Sequence, residues 1–305
     1  MGVKVLNVRD EPANRICEVE DEYAFLGCNA LRGDGYAAVL SDICPDMRDS
    51  NHVRQINLPR AADPEGFISR AEELFRSKGR EHCRFDLDCR TRPQCLYTAL
   101  RKSGYVPHPT VVQVYRGHDA EGAGGVFSGL SGGERDDRQS DSHPSASVTE
   151  VLPATGSEEW RNLMREHYAG YGQCGAFVER AVDLAIHRLA AAWGEGRDYR
   201  VFLAFAGDDS DASGVCEIFR HKGVAKIERL YVRKNSRMQG IGSSMIMHAV
   251  DYALRAGDDL AYLVADSLDW PRRMYRKLGF EDLMEIVEWT RIWGGSADDE
   301  GYVTW

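Results

Sequence analysis

The feature that most constrains this chain is that it resembles itself. Residues 83–116, CRFDLDCRTRPQCLYTALRKSGYVPHPTVVQVYR, parallel residues 261–291, AYLVADSLDWPRRMYRKLGFEDLMEIVEWTR. Each reads as a strand, a loop with proline, a short helix, Lys-x-Gly-aromatic and a second strand. Upstream, HVRQINLPR (52–60) matches a central strand, and PEGFISRAEELFRSKG (64–79) a following helix. Self-similarity on this scale implies two copies of one structural plan. The 305 residues suit two cores, at roughly 100 to 200 residues each. Between the copies lies GHDAEGAGGVFSGLSGGERDDRQSDSHPSAS, rich in Gly, Ser and Asp and without period. That composition reads as a linker or loop. The expected boundaries are 1–116, 117–147 and 148–305.

The second copy is the more legible. VTEVL (148–152) has strand character, and Ser157 followed by two acids suits a helix start, hydroxyl as cap and carboxylates at the positive dipole end. Residues 176–193 carry a helical apolar stripe. Strands are expected at 199–207, 214–221, 224–232, 260–266 and 284–292, with helices at 241–257 and 270–279. The expected fold class is α/β, a mixed sheet with a largely antiparallel front, a β-α-β unit behind it, and helices flanking the sheet.

Composition narrows the function. The formal net charge of −10 argues against a nucleic-acid partner, which needs a basic stripe to displace counterions. It leans towards a cationic substrate, or only towards solubility. No window reaches the ~18 consecutive apolar residues of a membrane span, and MGVKVLNVRDEPANR lacks a signal-peptide core. A soluble, cytoplasmic protein without membrane partner is expected. The eight cysteines form no Cys-x-x-Cys pair; Cys83, Cys89 and Cys95 are evenly spaced but lack the short pairs of zinc sites. Buried free thiols and no metal are expected.

One loop carries chemistry. RMQGIG (237–242) falls between the strand KIERLYV and the helix SSMIMHAVDYALRA. A strand, a glycine turn and a helix start make an anion site. First-turn amides have no intrahelical acceptor, and the dipole adds positive charge. Gly240 and Gly242 let the backbone approach a phosphate, and Arg237 adds a fork of donors. Neither the P-loop pattern nor Gly-x-Gly-x-x-Gly is present. Taken alone, the hexapeptide also fits a tight turn beside a solvated arginine.

The stretch IERLYVRKNSRMQGIGSSMIMHAVDYA, followed by LVADSLDWPRRMYRKLGF, resembles the GNAT superfamily of acyl-CoA-dependent N-acetyltransferases over about residues 148–292. The resemblance implies two GNAT-like domains in tandem and acetyl-CoA as co-substrate. It places Leu230, Tyr231 and Val232 at the strand end that pairs with pantetheine amides, a strand-like recognition. It places Arg237, Met238, Gln239, Gly240, Ile241, Gly242 and Ser243 in the pyrophosphate loop. It puts Tyr275 where many members keep a general acid for the leaving thiolate; a packed tyrosine is the alternative. Glu228 is one candidate for the base, or else a structural carboxylate. By strand alternation it should share a side with Leu230 and Val232. Where the family often has Asn, seven residues before the tyrosine, this chain has Leu268; Asp269 follows and can cap the helix or meet the cofactor. Trp270 is expected in the core or as a cofactor wall.

The first copy lacks this chemistry: no Arg-x-x-Gly-x-Gly follows INLPRAADPEG, and Leu100 stands at the place of Tyr275. It is expected to wall an acceptor pocket at the junction, with residues 23–36 as candidates, or to cover an apolar face. The expected activity is direct acetyl transfer from acetyl-CoA to a primary amine of a small, cationic substrate. A non-catalytic acyl-CoA sensor and an acetylase of peptide or protein amines are the alternatives.

Overall fold

The computed structural model describes residues 11–59, 62–117, 147–150, 158–206, 211–267 and 270–293. The first copy contains α1 (Glu11–Phe25), β1 (Asn29–Gly33), β2 (Tyr36–Leu40), β3 (Asn51–Arg54), α2 (Pro64–Ser77), β4 (His82–Leu87), α3 (Cys95–Lys102) and β5 (Val106–Tyr115). The second contains β6 (Ser147–Glu150), α4 (Glu158–Gly170), α5 (Ala176–Gly194), β7 (Asp198–Phe205), β8 (Gly214–His221), β9 (Val224–Val232), α6 (Ile241–Arg255), β10 (Leu260–Asp266), α7 (Pro271–Lys277) and β11 (Phe280–Ile292). Apart from their two ends, residues 117–147 lie outside the described residues, as do Ser157, Leu268 and Asp269.

The eleven strands among the described residues form one mixed sheet, in the order β1-β2-β3-β4-β11-β5-β10-β9-β8-β7-β6. The central pair, β5 and β11, is antiparallel. Each copy gives its last strand to the other. β11 pairs with β4, Trp289 opposite Phe85, and β5 pairs with β10, Val112 opposite Val264. The exchange reaches the cores. Trp289, 3% exposed, packs with Phe67, Phe85 and Leu96 of the first copy, and Val111 packs with Ile227, Met245 and Leu263 of the second. Burying such side chains contributes about 1.5–3 kcal/mol each, so each half is stabilised by the other's strand.

Local sequence explains the flanking helices. In α6 the buried residues Ile241, Met245, Ile246, Ala249, Val250 and Ala253 make one stripe against β8, β9 and β10. Its end is sharp because Gly257 takes φ +88°. In α2 the Asp63 carboxylate accepts from the Glu65 amide at 3.1 Å, and Pro64 sits in the first turn. On the opposite face α1, α4 and α5 cover the sheet through Ile16, Trp160, Leu163 and Leu184.

The thiols are less uniform than expected. Cys17, Cys44, Cys83 and Cys216 are buried, but Cys95 and Cys174 are exposed. Cys95 is the first residue of α3, and Cys174 lies two residues before α5, so neither is on a packed stripe. No described helix is long and apolar enough to cross a membrane.

Candidate functional site

The site begins with a gap in the sheet. β9 and β10 run parallel and pair from Val224/Leu260 to Ile227/Leu263. Beyond that point β9 stays with β8, and β10 stays with β5. Among the described residues, the edge of residues 228–232 that faces β10 therefore has no strand partner. A β-bulge marks the divergence. Val215 pairs with Tyr231 and Glu217 with Glu228, so β9 holds one extra residue there. Arg229 takes φ +54°, a costly conformation for a side-chain-bearing residue.

The bulge corrects one sequence expectation. Glu228 does not share a side with Leu230 and Val232. Those two lie 3.7 and 3.6 Å from where a Cβ on Gly242 would sit, facing α6. Glu228 lies 3.0 Å from Lys226 Nζ on the other face. There Arg229 also meets Tyr168 Oη at 3.1 Å. The extra residue resets the alternation. Glu228 still reaches the same cavity as Leu230 and Tyr275, because the opening between β9 and β10 admits residues from both faces.

Beyond the end of β9 comes the glycine loop, none of whose residues lines the cavity that holds Glu228, Leu230 and Tyr275. Gly240 takes φ +79° at the N-cap of α6, no side chain caps the helix, and a Cβ there would meet nothing within 4 Å. Gly240 is thus required by its backbone, and the space in front of it is open. Met238 also takes a positive φ, 62°, and its side chain is 96% exposed at the loop tip. Arg237 Nε donates to the Val232 carbonyl at 2.9 Å, with its guanidinium 5.9 Å from the Tyr231 ring centre. Gln239 donates to the Asn235 carbonyl at 3.3 Å. These bonds tie the loop to the strand end and leave the amides of Ile241, Gly242 and Ser243 at the uncapped mouth of the helix.

Tyr231 faces α4: its ring lies 5.6 Å from that of His167 and its hydroxyl 3.4 Å from Glu166. Burial, then the Glu166 charge, raises its phenol. Burial and Arg229 push His167 down to about 3. Tyr275 lies on α7 with its ring 6.1 Å from that of Phe280, and it lines the cavity. Trp270 is 63% exposed, so it is no core residue; the chain turns it outward just before Pro271. Asp269 lies outside the described residues.

The cavity has a volume of about 260 Å³ and draws on both copies. From the first come Glu20, Tyr23, His52, Arg54, Arg84 and Asp86. Of residues 23–36, only Tyr23 and Ala24 line it; Asn29–Gly33 is an exposed edge strand. These charged residues were not singled out from sequence. For His52, Arg54, Arg84 and Asp86 the local signal is the alternation in HVRQ and CRFDL, where His52, Arg54 and Arg84 are polar yet buried. The polar lining is closely paired. Lys226 Nζ meets Glu20 at 2.7 Å and sits 4.6 Å from the Tyr23 ring centre. Burial lowers the Lys226 ammonium, but Glu20 and Glu228 outweigh it and the net shift is upward. Arg54 Nε meets Asp21 at 2.7 Å. Arg84 joins Asp49, Asp86 and Glu288. Burial raises the Glu288 carboxyl to about 8, against the pull of Arg84. Burial lowers His52 to about 4 although Asp86 lies 3.6 Å away.

Among its described residues, the first copy has no such loop. Its helix α2 is capped by the Asp63 carboxylate, which fills the corner where α6 is open. Its strand β3 ends in the same way, with Gln55 at φ 54° matching Arg229. Leu100 is fully buried in the core of this copy. Elsewhere Cys17 and Cys89 lie 3.7 Å apart beside Asp88. Arg90 already holds that carboxylate at 2.6 Å.

Comparison with known proteins bears on the fold. The profile of the acetyltransferase (GNAT) family matches residues 158–280. A GCN5-related N-acetyltransferase from Kribbella flavida is similar in structure, with TM-score 0.60 and 16% identity over 94% of this chain and 98% of that one. A tandem GNAT protein from the clavulanic acid biosynthesis pathway superposes with TM-score 0.58 and 15% identity, covering 95% and 97%. At these identities the structural likeness speaks for the fold, two GNAT-like units in tandem. No curated protein matches the chain.

Proposed function

Starting from a chain whose residues 158–280 match the acetyltransferase (GNAT) family, we propose that the protein moves an acetyl group from acetyl-CoA to the primary amine of a small substrate. Residues 148–305 do the chemistry, 117–147 link the copies, and 1–116 form a degenerate copy that walls the acceptor pocket. The observation that carries this reading is the shared cavity. Tyr275, Glu228 and Leu230 of the partnerless edge of β9 all border it, and Leu230 also reaches Gly242 in the first turn of α6.

In this reading the amides of Ile241, Gly242 and Ser243, with Arg237, hold the diphosphate of the thioester. Met238, Gln239 and Gly240 shape the loop around it, and Asp269 borders the same cofactor. The free edge of Leu230, Tyr231 and Val232 pairs with the pantetheine amides as an added strand would. A backbone amide there polarises the thioester carbonyl. The amine nitrogen attacks that carbon, forming a C–N bond. The tetrahedral intermediate then breaks its C–S bond. Glu228 takes the amine proton, directly or through one water, and the Tyr275 phenol gives its proton to the departing sulfur. No covalent acyl-enzyme is needed: Cys216 is fully buried, and burial drives its thiol well above the usual range.

A thiol-detecting dye tests this directly. Acetyl-CoA with an amine panel should give amine-dependent thiol release. Binding of acetyl-CoA with no release for any amine would leave the sensor reading instead.

A further inference from the structure

Resting on the acyl-transfer reading above, we propose that the acceptor is a small amino acid, and that Arg188 of α5 receives its carboxylate. Arg188 is 3% exposed and lines the cavity. Its Nη2 donates to Ser50 Oγ at 3.0 Å and lies 4.0 Å from Cys28 Sγ. Its guanidinium sits 5.4 Å from the Tyr23 ring centre. Its Nε is sealed from solvent with no acceptor. Among the described residues, no atom accepts from Nη1, and no carboxylate lies within 4.0 Å of the group. Every other buried arginine on this cavity has a carboxylate: Arg54 has Asp21, Arg84 has Asp86, and Arg229 has Glu217. A buried guanidinium lacking a counter-ion is unfavourable until an anion arrives.

The groups around Tyr23, with Arg188 at 5.4 Å and Lys226 at 4.6 Å from its ring centre, leave two charges of opposite sign on the cavity lining. Among the described residues, of Arg188 and Arg229 only Arg229 has a carboxylate partner. That carboxylate is Glu217, 3.4 Å from Arg229 and already accepting from Tyr199 and Trp160. One positive charge is left over. Lys226 is placed between two carboxylates, Glu20 at 2.7 Å and Glu228 at 3.0 Å, which leaves one negative charge. An ammonium beside Glu228 is where attack on the thioester starts; a carboxylate beside Arg188 completes the missing ion pair. A volume of about 260 Å³ limits the substrate to a small molecule. The planar fork of Arg188 suits a carboxylate. The acidic composition thus misleads: the pocket is dipolar, although the chain as a whole is anionic.

The test compares matched pairs: glycine with methylamine, β-alanine with ethylamine, γ-aminobutyrate with propylamine. Thiol release from acetyl-CoA is followed with the wild-type protein and Arg188→Met. At least one amino acid should exceed its matched amine by tenfold or more in kcat/KM. Arg188→Met should raise that KM by about 10- to 100-fold, the usual worth of charge-assisted hydrogen bonds. The KM of the matched amine and the CoA affinity should hold. Equal use of both members of every pair overturns the inference while the acyl-transfer reading stands. So does a variant that loses both members equally with CoA binding intact. No thiol release with any of the amines, although CoA binds, overturns both. Should Arg188→Met not fold, propionate and butyrate must still compete with the amine on the wild-type protein; no competition overturns the inference.

Discussion

Replacing Gly240 by aspartate puts a carboxylate where the diphosphate is held to dock. The structure separates the two consequences. A Cβ at Gly240 would meet nothing within 4 Å, so no packing is lost. The cost to folding is that of a non-glycine residue at φ +79°, about 1 kcal/mol, and least for Asp or Asn. A carboxylate at the start of α6 recovers part of that through the dipole. Binding should suffer far more. Two like charges at ~4 Å repel by about 1 kcal/mol in water and about 4 kcal/mol at an effective dielectric constant near 20. With a diphosphate, Gly240→Asp should lose about 10²- to 10³-fold in CoA affinity. The isosteric Gly240→Asn, which has the same shape and no charge, should lose at most about tenfold. Urea titration gives the stability change and calorimetry the affinity. The gap between Asp and Asn should shrink at high salt. A folded Gly240→Asp that binds CoA as tightly as Gly240→Asn would refute the electrostatic account of this loop.

Tyr275→Phe should lower kcat by about 10²- to 10⁴-fold with CoA affinity nearly kept; unchanged turnover removes the proton-donor role. Deleting residues 1–116 removes β5 from between β10 and β11, so the fragment 117–305 should show no cooperative thermal transition by circular dichroism. A well-folded fragment would show that the exchanged strand is dispensable. Burial holds His52 and His82 neutral, each lowered to about 4 from 6.5. The unfolded chain then binds protons that the folded chain refuses, and stability falls as pH drops from about 6.5 to 4, by at most about 3 kcal/mol per histidine. His82→Gln should flatten that slope in urea titrations; an unaltered slope would mean that His82 is not the source.

Much of the second copy could be read locally. The bounds of β8, β9 and β10 follow from runs such as GVCEIFRH and LAYLVAD, and the glycine pair marks where α6 begins. The strand exchange could not be read. Nothing in MEIVEWTRI says whether Trp289 packs on its own half or opposite Phe85, because pairing partners are set by the whole sheet. The bulge at Arg229 was also hidden, since KIERLYV alternates well enough to pass for a regular strand, and only the two-against-three register with Val215 and Glu217 reveals it. α1 was not anticipated, because its buried face includes the acids Glu20 and Asp21. Their partners, Lys226 and Arg54, are distant in sequence, so their burial reads as solvated charge until the fold brings them together.

The most direct measurement is a calorimetric titration of the intact protein with CoA. One open helix mouth, at Gly240, and one sealed by Asp63 predict a stoichiometry of one CoA per chain. Two equivalents, or no heat of binding to folded protein, would contradict that assignment.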